Sequence, residues 1–429
     1  MKSNKSVYKI ASMVTAVAVP AFLAASAYAV PKVYVTNSAD DTVSVINTVD
    51  DTVEDTISVE DGPGAIVASP DGSKVYVTSG FTTKISVIDT ATASKSDTIE
   101  IGNSASGLAI SPDGSTLYTI SNGDLLIVDV SNKAVDDTVA LSGFLPLNLA
   151  LSPDGGKVYI LDFVNPLIES VNLSNQVITN IMPVHPAVAV AFSPAGGSNK
   201  AYATDGADDK VIIINTSTDE VSNTTIDVGD APVGIAFTPD GTKAYVANGN
   251  SNDVTIINSD SDSVLKTVAV GSKPGAIGFT PDSKKAYVSN SDDGTVSVID
   301  VNSQEVTTTV TVGTTPFAFA VANVIRCGDS VKEGSEQCDD GNTKNGDGCS
   351  SICKTENIAQ CGNGVKEGNE ECDDGNGVND DECSNACTLV EPNDGGCALS
   401  PLASASAWSF LPFTVAPLAL ALRRMKKKA

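Results

Sequence analysis

Apolar and polar positions along this chain come in short runs, and the runs recur. Lys32-Val33-Tyr34-Val35-Thr36-Asn37 is the first clear one. Versions of it return centred on Tyr76, Tyr118, Tyr159, Tyr202, Tyr245 and Tyr287, at spacings of 42, 42, 41, 43, 43 and 42 residues. A period held that closely over seven copies marks a repeat architecture, in which each unit buries its apolar surface against its neighbours.

One unit shows the pattern. Gly234-Ile235-Ala236-Phe237 is a short run of small and apolar residues, which predicts a strand buried on both faces. Thr238-Pro239-Asp240-Gly241 puts proline and glycine where a tight turn needs them. Lys243-Ala244-Tyr245-Val246-Ala247 alternates as a second strand, and Asn248 to Asp253 is a polar turn. Val254-Thr255-Ile256-Ile257 and Val264 to Val270 give a third and a fourth strand, and Gly271-Ser272-Lys273-Pro274 leads into the next unit. Four short antiparallel strands in each repeat of about 42 residues describe the blade of a β-propeller. The predicted fold class is therefore all-β, a seven-bladed β-propeller over residues 30–325.

The turn motif recurs at Ser69-Pro70-Asp71-Gly72, Ser111-Pro112-Asp113-Gly114, Ser152-Pro153-Asp154-Gly155, Ser193-Pro194-Ala195-Gly196, Thr238-Pro239-Asp240-Gly241 and Thr280-Pro281-Asp282-Ser283. Six turns stand against seven Tyr strands. The first repeat opens on a second strand, at Tyr34, and Pro316-Phe317-Ala318-Phe319-Ala320-Val321 matches a first strand with no second strand after it. The last strand is therefore expected to complete the first blade, a three-plus-one closure that leaves no open edge.

Val33-Tyr34-Val35-Thr36-Asn37 and Val296-Ser297-Val298-Ile299-Asp300 resemble the YVTN family of β-propeller repeats, over residues 31–325. The resemblance implies a bacterial or archaeal surface protein. It does not extend to WD-repeat propellers, since Trp408 is the single tryptophan and no Gly-His or Trp-Asp pair occurs.

Charge and the chain ends bear on location. Lys2, Lys5 and Lys9, the apolar stretch from Ile10 to Ala25 and Ala27-Tyr28-Ala29 match a cleaved signal peptide over 1–29. A membrane anchor is the rival, but the run is short for a span of about 20 residues and contains Pro20. That segment and the tail after Cys397 hold eight of the 26 basic residues and no acidic one, so without them the formal charge falls from −27 to −35. Such a chain repels phosphate backbones, which argues against nucleic acid as a partner.

Absences narrow the chemistry of the propeller. His185 is the single histidine, so a multi-histidine metal centre cannot form, and any Ser/His/Asp catalysis would rest on it alone. Acidic pairs recur at second-to-third turns, as at Asp40-Asp41, Asp208-Asp209, Asn252-Asp253 and Asp292-Asp293, where turn formation and Ca²⁺ coordination both fit. The fourth unit departs from its siblings, with Ile160-Leu161-Asp162-Phe163-Val164-Asn165-Pro166 in place of polar residues. It is flanked by Ser142-Gly143-Phe144-Leu145-Pro146 and Met182-Pro183-Val184-His185-Pro186. Second-to-third turns and interblade loops share one rim of a four-stranded blade, so Phe144, Leu145, Phe163, Pro166 and His185 are expected on one face. They form a candidate ligand site, against the alternative of apolar loops packing on their own blade.

Composition changes at Arg326. Cys327, Cys338, Cys349 and Cys353 are followed 34 residues on by Cys361, Cys372, Cys383 and Cys387. Four cysteines in each small exported module point to two disulfides apiece, over 326–356 and 357–389, with three pairings open in each and zinc as the rival. The flanks, such as Cys338-Asp339-Asp340-Gly341-Asn342 and Asp347-Gly348-Cys349, resemble the myxobacterial-type cysteine-rich disulfide repeat; the second copy departs at Asp381-Glu382-Cys383. Asp339, Asp340, Asn342 and Asp347, with Asp373, Asp374, Asn376 and Asp381, are candidate Ca²⁺ ligands, turn formation being the other role for them.

A linker at 390–397 ends in a ninth cysteine, Cys397. An uncharged stretch over 398–422 follows, long enough to span a bilayer, and then a basic tail over 423–429. The layout resembles three-part bacterial C-terminal sorting signals, and implies a processing protease cutting near Cys397 and a lipid on its thiol. A permanent anchor is the rival. The sequence thus predicts an exported protein held at the cell surface or outer envelope, through its tail or a lipid. Its expected partner is an extracellular protein or a glycan. No cofactor is required, and no catalysis is expected. The rival is a lactonase-like hydrolase with a metal or acidic site in the central channel.

Overall fold

The structure is a computed structural model that describes residues 30–194, 199–322 and Cys338, all within the first of two compact units, Met1–Glu356 and Asn357–Ala429. Among the described residues every regular element is a strand. Seven four-stranded antiparallel sheets form the blades. Blade 1 combines Pro316–Ala322 with Lys32–Asn37, Thr42–Asn47 and Thr52–Ser58; blades 2 to 7 follow in chain order over 63–100, 105–140, 146–181, 187–227, 232–269 and 274–311.

The closure is the one the repeat count predicts. Pro316–Ala322 runs antiparallel to Lys32–Asn37, pairing Ala322 with Lys32, Val321 with Val33, Ala320 with Tyr34 and Phe319 with Val35. Strands from opposite ends of the described chain thus share one hydrogen-bond ladder. A ring has no free interblade surface, so each of the seven apolar clusters is shared by two adjacent blades. The closing cluster brings Val33, Val35 and Ile46 of blade 1 against Tyr287, Val296, Val298 and Val310 of blade 7.

Burial corrects two expectations about single strands. The innermost strand is not buried on both faces. In Pro63–Ala68 and Pro274–Phe279 most residues are only half-buried, because this strand borders the central channel. The second strand does not alternate between core and water. Lys243–Asn248 is buried at every residue after Lys243, because both faces of the sheet are covered by neighbouring blades.

The Ser/Thr-Pro-Asp turns are compact hydrogen-bonded units. In five of them the aspartate accepts from the hydroxyl two residues before it: Ser69 on Asp71 at 2.5 Å, Ser111 on Asp113 at 2.5 Å, Ser152 on Asp154 at 2.6 Å, Thr238 on Asp240 at 2.5 Å and Thr280 on Asp282 at 2.7 Å. It also accepts from the backbone N–H two residues after it. Burial is the largest influence on Asp71, Asp240 and Asp282 and opposes ionisation, but the hydrogen bonds together outweigh it. For Asp113 and Asp154 the hydroxyl bond leads. All five carboxyls lie below the usual range, Asp113 at about 2.

A chain ending at Thr315 lacks the closing strand and should unfold at a markedly lower temperature than one ending at Ile325; equal melting by circular dichroism would contradict the closure. The turn aspartates have depressed folded-state pKa values, so the stability they supply is complete above the unfolded carboxylate range near pH 4 and is lost as pH falls toward about 2. Melting temperatures measured from pH 7 downward should stay level to about pH 4 and then drop.

Candidate functional site

The hydrogen bonds divide the ring into two faces. Interblade loops bond to second-to-third turns, as in Gly62 N–H to Asp41 (2.7 Å), Ala231 N–H to Asp209 (2.8 Å) and Lys273 N–H to Asn252 (2.9 Å). These loops and turns form the loop face. The Ser/Thr-Pro-Asp turns and the third-to-fourth turns form the opposite, turn face. The acidic pairs at the second-to-third turns therefore act in part as backbone anchors.

At the loop-face end of each second strand stands a buried polar residue: Asn37, Ser79, Ser121, Asp162, Asp205, Asn248 and Asn290. Asn37 shows its task. Its side chain donates to Thr42 and Ser44 and accepts from Gly313 N–H of the incoming loop. The loop backbone comes so close that a Cβ on Gly313 would lie 2.5 Å from Asn37 Cγ, which is why glycine stands there.

Blades 4 and 5 put carboxylates at this site. Asp162 accepts from Leu145 N–H (2.9 Å) with Oδ2, and from Val164 and Asn165 N–H (2.8 and 2.7 Å) with Oδ1. Burial opposes its ionisation, but the backbone N–H groups of Asn165, Leu145, Val164 and Phe144 prevail and lower its pKa. Beside it Glu169, 1% exposed, stands in register where other blades carry Ser44, Ser86 and Ser297. It accepts from Ser142 N–H (2.8 Å), Ser142 Oγ (2.7 Å) and Gly143 N–H (3.3 Å).

These two acids fix the backbones that carry the apolar residues singled out from the sequence. Phe144 is 77% exposed and Phe163 56%, and Leu145 and Val164 are also exposed. Phe163 N–H donates to Leu145 O at 3.0 Å, joining the two segments, and half-buried Pro166 closes the same turn. His185 has a different attachment. Its Nδ1 lies 3.0 Å from buried Asp205 and 3.6 Å from Asp208, both of blade 5. The bond to Asp205 raises the histidine pKa against a smaller effect of burial, and Asp208 adds to the rise. Their ligand atoms all lie within 4.8 Å of one another, a set that one divalent cation could bridge. The cluster is built from a loop, a second-strand end and a second-to-third turn, so it lies on the loop face and not on the innermost strands.

No motif within a single repeat marks Asp162, Glu169 or Asp205. Aligning the repeats on Asn37 and on Ser44 would have shown each as a charge in a column of neutral residues.

Of the cysteine-rich segment the structure describes Cys338 alone, which is disulfide-bonded. Cys327, Cys349, Cys353, Cys361, Cys372, Cys383, Cys387 and Cys397 lie outside the described residues. So do the cation candidates Asp339, Asp340, Asn342, Asp347, Asp373, Asp374, Asn376 and Asp381.

Residues 324–354 and 356–388 match the family model of DUF4215, a domain of unknown function. No curated protein matches the chain. Among solved structures it is similar to Kuenenia stuttgartiensis hydrazine synthase, with 21% identity, TM-score 0.57 and coverage of 62% of this chain and 91% of that one. It is also similar to a functionally unknown protein from Desulfotomaculum acetoxidans, with 17% identity, TM-score 0.60 and coverage of 68% and 99%. A third is the dihydro-heme d1 dehydrogenase NirN in complex with DHE, with 14% identity, TM-score 0.55 and coverage of 68% and 75%. At these identities the likeness is one of fold: this chain contains a seven-bladed β-propeller.

Glu169→Ser should release the 142–145 loop without opening the ring. Amide exchange at Ser142 and Gly143 should accelerate, and stability should fall by about 1–3 kcal/mol, the cost of a broken buried hydrogen-bond set. Unchanged exchange at those amides would show that Glu169 does not hold the loop.

Proposed function

We propose that this is an exported, surface-anchored, non-catalytic binding protein that uses the loop face of its propeller to recognise an extracellular partner. One observation carries the reading. Ten of the fifteen large apolar side chains exposed on the described residues belong to the loop face or the channel mouth beside it: Phe81, Phe144, Leu145, Leu147, Phe163, Val164, Met182, Val184, Val233 and Phe317. All four exposed phenylalanines are among them. Aromatic residues are typical anchors of protein interfaces, and rigid backbones lower the entropy lost on binding. The densest part is blade 4, where Asp162 and Glu169 supply that rigidity. A protein partner fits this apolar surface best; a glycan is the second class.

The remaining parts fit the same reading. The YVTN-like repeats and the signal-like segment 1–29 support export. The modules matching DUF4215 serve as a short disulfide-stapled stalk, with Ca²⁺ as their candidate cation, and the segment after Cys397 serves for sorting or anchoring. One observation favours a second reading. The His185–Asp205–Asp208 cluster has ligand types found in metal-dependent hydrolases.

Purified 30–396 should bind a protein in a surface-plasmon-resonance screen of envelope proteins, run beside a glycan array. Phe144→Ser with Phe163→Ser should weaken that binding by about tenfold or more, with an unchanged melting temperature. Binding that ignores both substitutions would move the site elsewhere. Turnover of lactones or esters that needs a divalent cation and vanishes in His185→Ala would establish the hydrolase instead.

A further inference from the structure

The third-to-fourth turn of every blade has a left-handed corner residue, with φ near +50°: Asp51, Ala93, Lys133, Gln176, Asp219, Asp262 and Gln304 around the ring. Where it is aspartate, the preceding blade closes on it with a lysine and a tyrosine. Lys157 Nζ donates to Asp219 at 2.8 and 2.9 Å and Tyr159 Oη at 2.5 Å. Lys200 and Tyr202 hold Asp262, and Lys285 and Tyr287 hold Asp51 across the closing interface. Each lysine also donates to a carbonyl of the same turn, that of Thr216, Ser259 or Thr48.

The junction of blades 2 and 3 keeps half of this device. Lys74 and Tyr76 stand in blade 2, but the corner of blade 3 is Lys133. Lys74 turns to Asp89 of its own blade, and Lys133 pairs with Asp97. Tyr76 is 4% exposed and its hydroxyl makes no hydrogen bond among the described residues, while burial, with Asp71, raises its pKa. A cavity of about 710 Å³ opens at this junction. Lys74, Tyr76 and Lys133 line it, with Val130 in the place of the turn carbonyls above. Tyr76 lines this cavity, so its hydroxyl is open to the cavity's contents, and a ligand oxygen there takes the place that a corner carboxylate fills at the other junctions.

We propose that this cavity is a binding site for a small zwitterion of the amino-acid class. The ligand carboxylate accepts from Tyr76 Oη and Lys74 Nζ, as Asp219 accepts from Tyr159 and Lys157. A simple anion is disfavoured, because Asp71, Asp97 and Asp113 also line the cavity and outnumber the two ammonium groups. A ligand carrying its own ammonium group removes that imbalance by placing it against these carboxylates. The volume lies within the range of small-molecule sites. The site is on the turn face, and does not depend on the loop-face reading above.

Isothermal titration of the purified chain with each of the free amino acids tests this, with acetate and methylammonium as single-charge controls. At least one amino acid should bind saturably, and the controls should bind about tenfold more weakly or worse, the worth of one charge-assisted hydrogen bond. Tyr76→Phe should weaken binding by a similar factor without lowering the melting temperature. Lys133→Asp should abolish binding and raise the melting temperature, because the corner carboxylate then closes on Lys74 and Tyr76. No binding by any amino acid at millimolar concentration would overturn the proposal. So would acetate binding as tightly as the amino acids, or affinity that survives both substitutions.

Discussion

Three blades of this ring are tied to the preceding blade through a single side chain, at the left-handed corner of the third-to-fourth turn. Where that residue is aspartate, its carboxylate is gripped by the lysine and tyrosine of the preceding blade. The grip ties together strands about 60 residues apart, as Tyr159 to Asp219, and strands from opposite ends of the domain, as Tyr287 to Asp51. Sheet ladders hold each blade; apolar clusters fill the spaces between blades; at three of the seven junctions this polar clasp adds a fixed contact between neighbours. A tyrosine hydroxyl that is buried without such a partner is a measurable loss, and the structure holds two, Tyr34 and Tyr245. Their would-be corners are Ala93 and Gln304, neither of which offers a carboxylate.

The same logic of buried polar groups shapes the loop face. In six of the seven blades the polar residue at the end of the second strand bonds the incoming loop, Asn248 being the exception, and the apolar surface above is as rigid as those bonds. In blade 4 the neutral pin is replaced by two carboxylates with six backbone or hydroxyl donors between them. A charge inside a protein is tolerated when it is fully hydrogen-bonded. Here that satisfaction buries the acids and leaves the loop side chains, Phe144 and Phe163 foremost, with nothing to do inside the protein. Blade 4 thus presents apolar groups on fixed supports, an arrangement suited to recognition.

The architecture was legible because the repeat writes it seven times. The Tyr period gave the blade count, and the mismatch of six turns against seven Tyr strands gave the closure through Pro316–Ala322. What lies between repeats was less legible. Lys157 and Asp219 belong to different units, so nothing within one repeat shows that they meet. The innermost strands looked fully buried because small apolar residues serve a channel wall as well as a core. The apolar residues of the fourth unit stood out against polar siblings, whereas Glu169 hid inside an ordinary strand run. Topology puts His185 on the same rim as Phe144 and Phe163, yet its ring pairs with Asp205 and Asp208 of the next blade.

The clasp is tested most directly where it is half built. Lys243 and Tyr245 of blade 6 face a corner occupied by Gln304, and the Tyr245 hydroxyl has no partner. The measurement is the unfolding free energy of Gln304→Asp, alone and combined with Tyr245→Phe. A corner carboxylate that completes the clasp should add about 1 kcal/mol, and Tyr245→Phe should remove most of that gain. No gain, or the same gain with and without the tyrosine hydroxyl, would contradict the account.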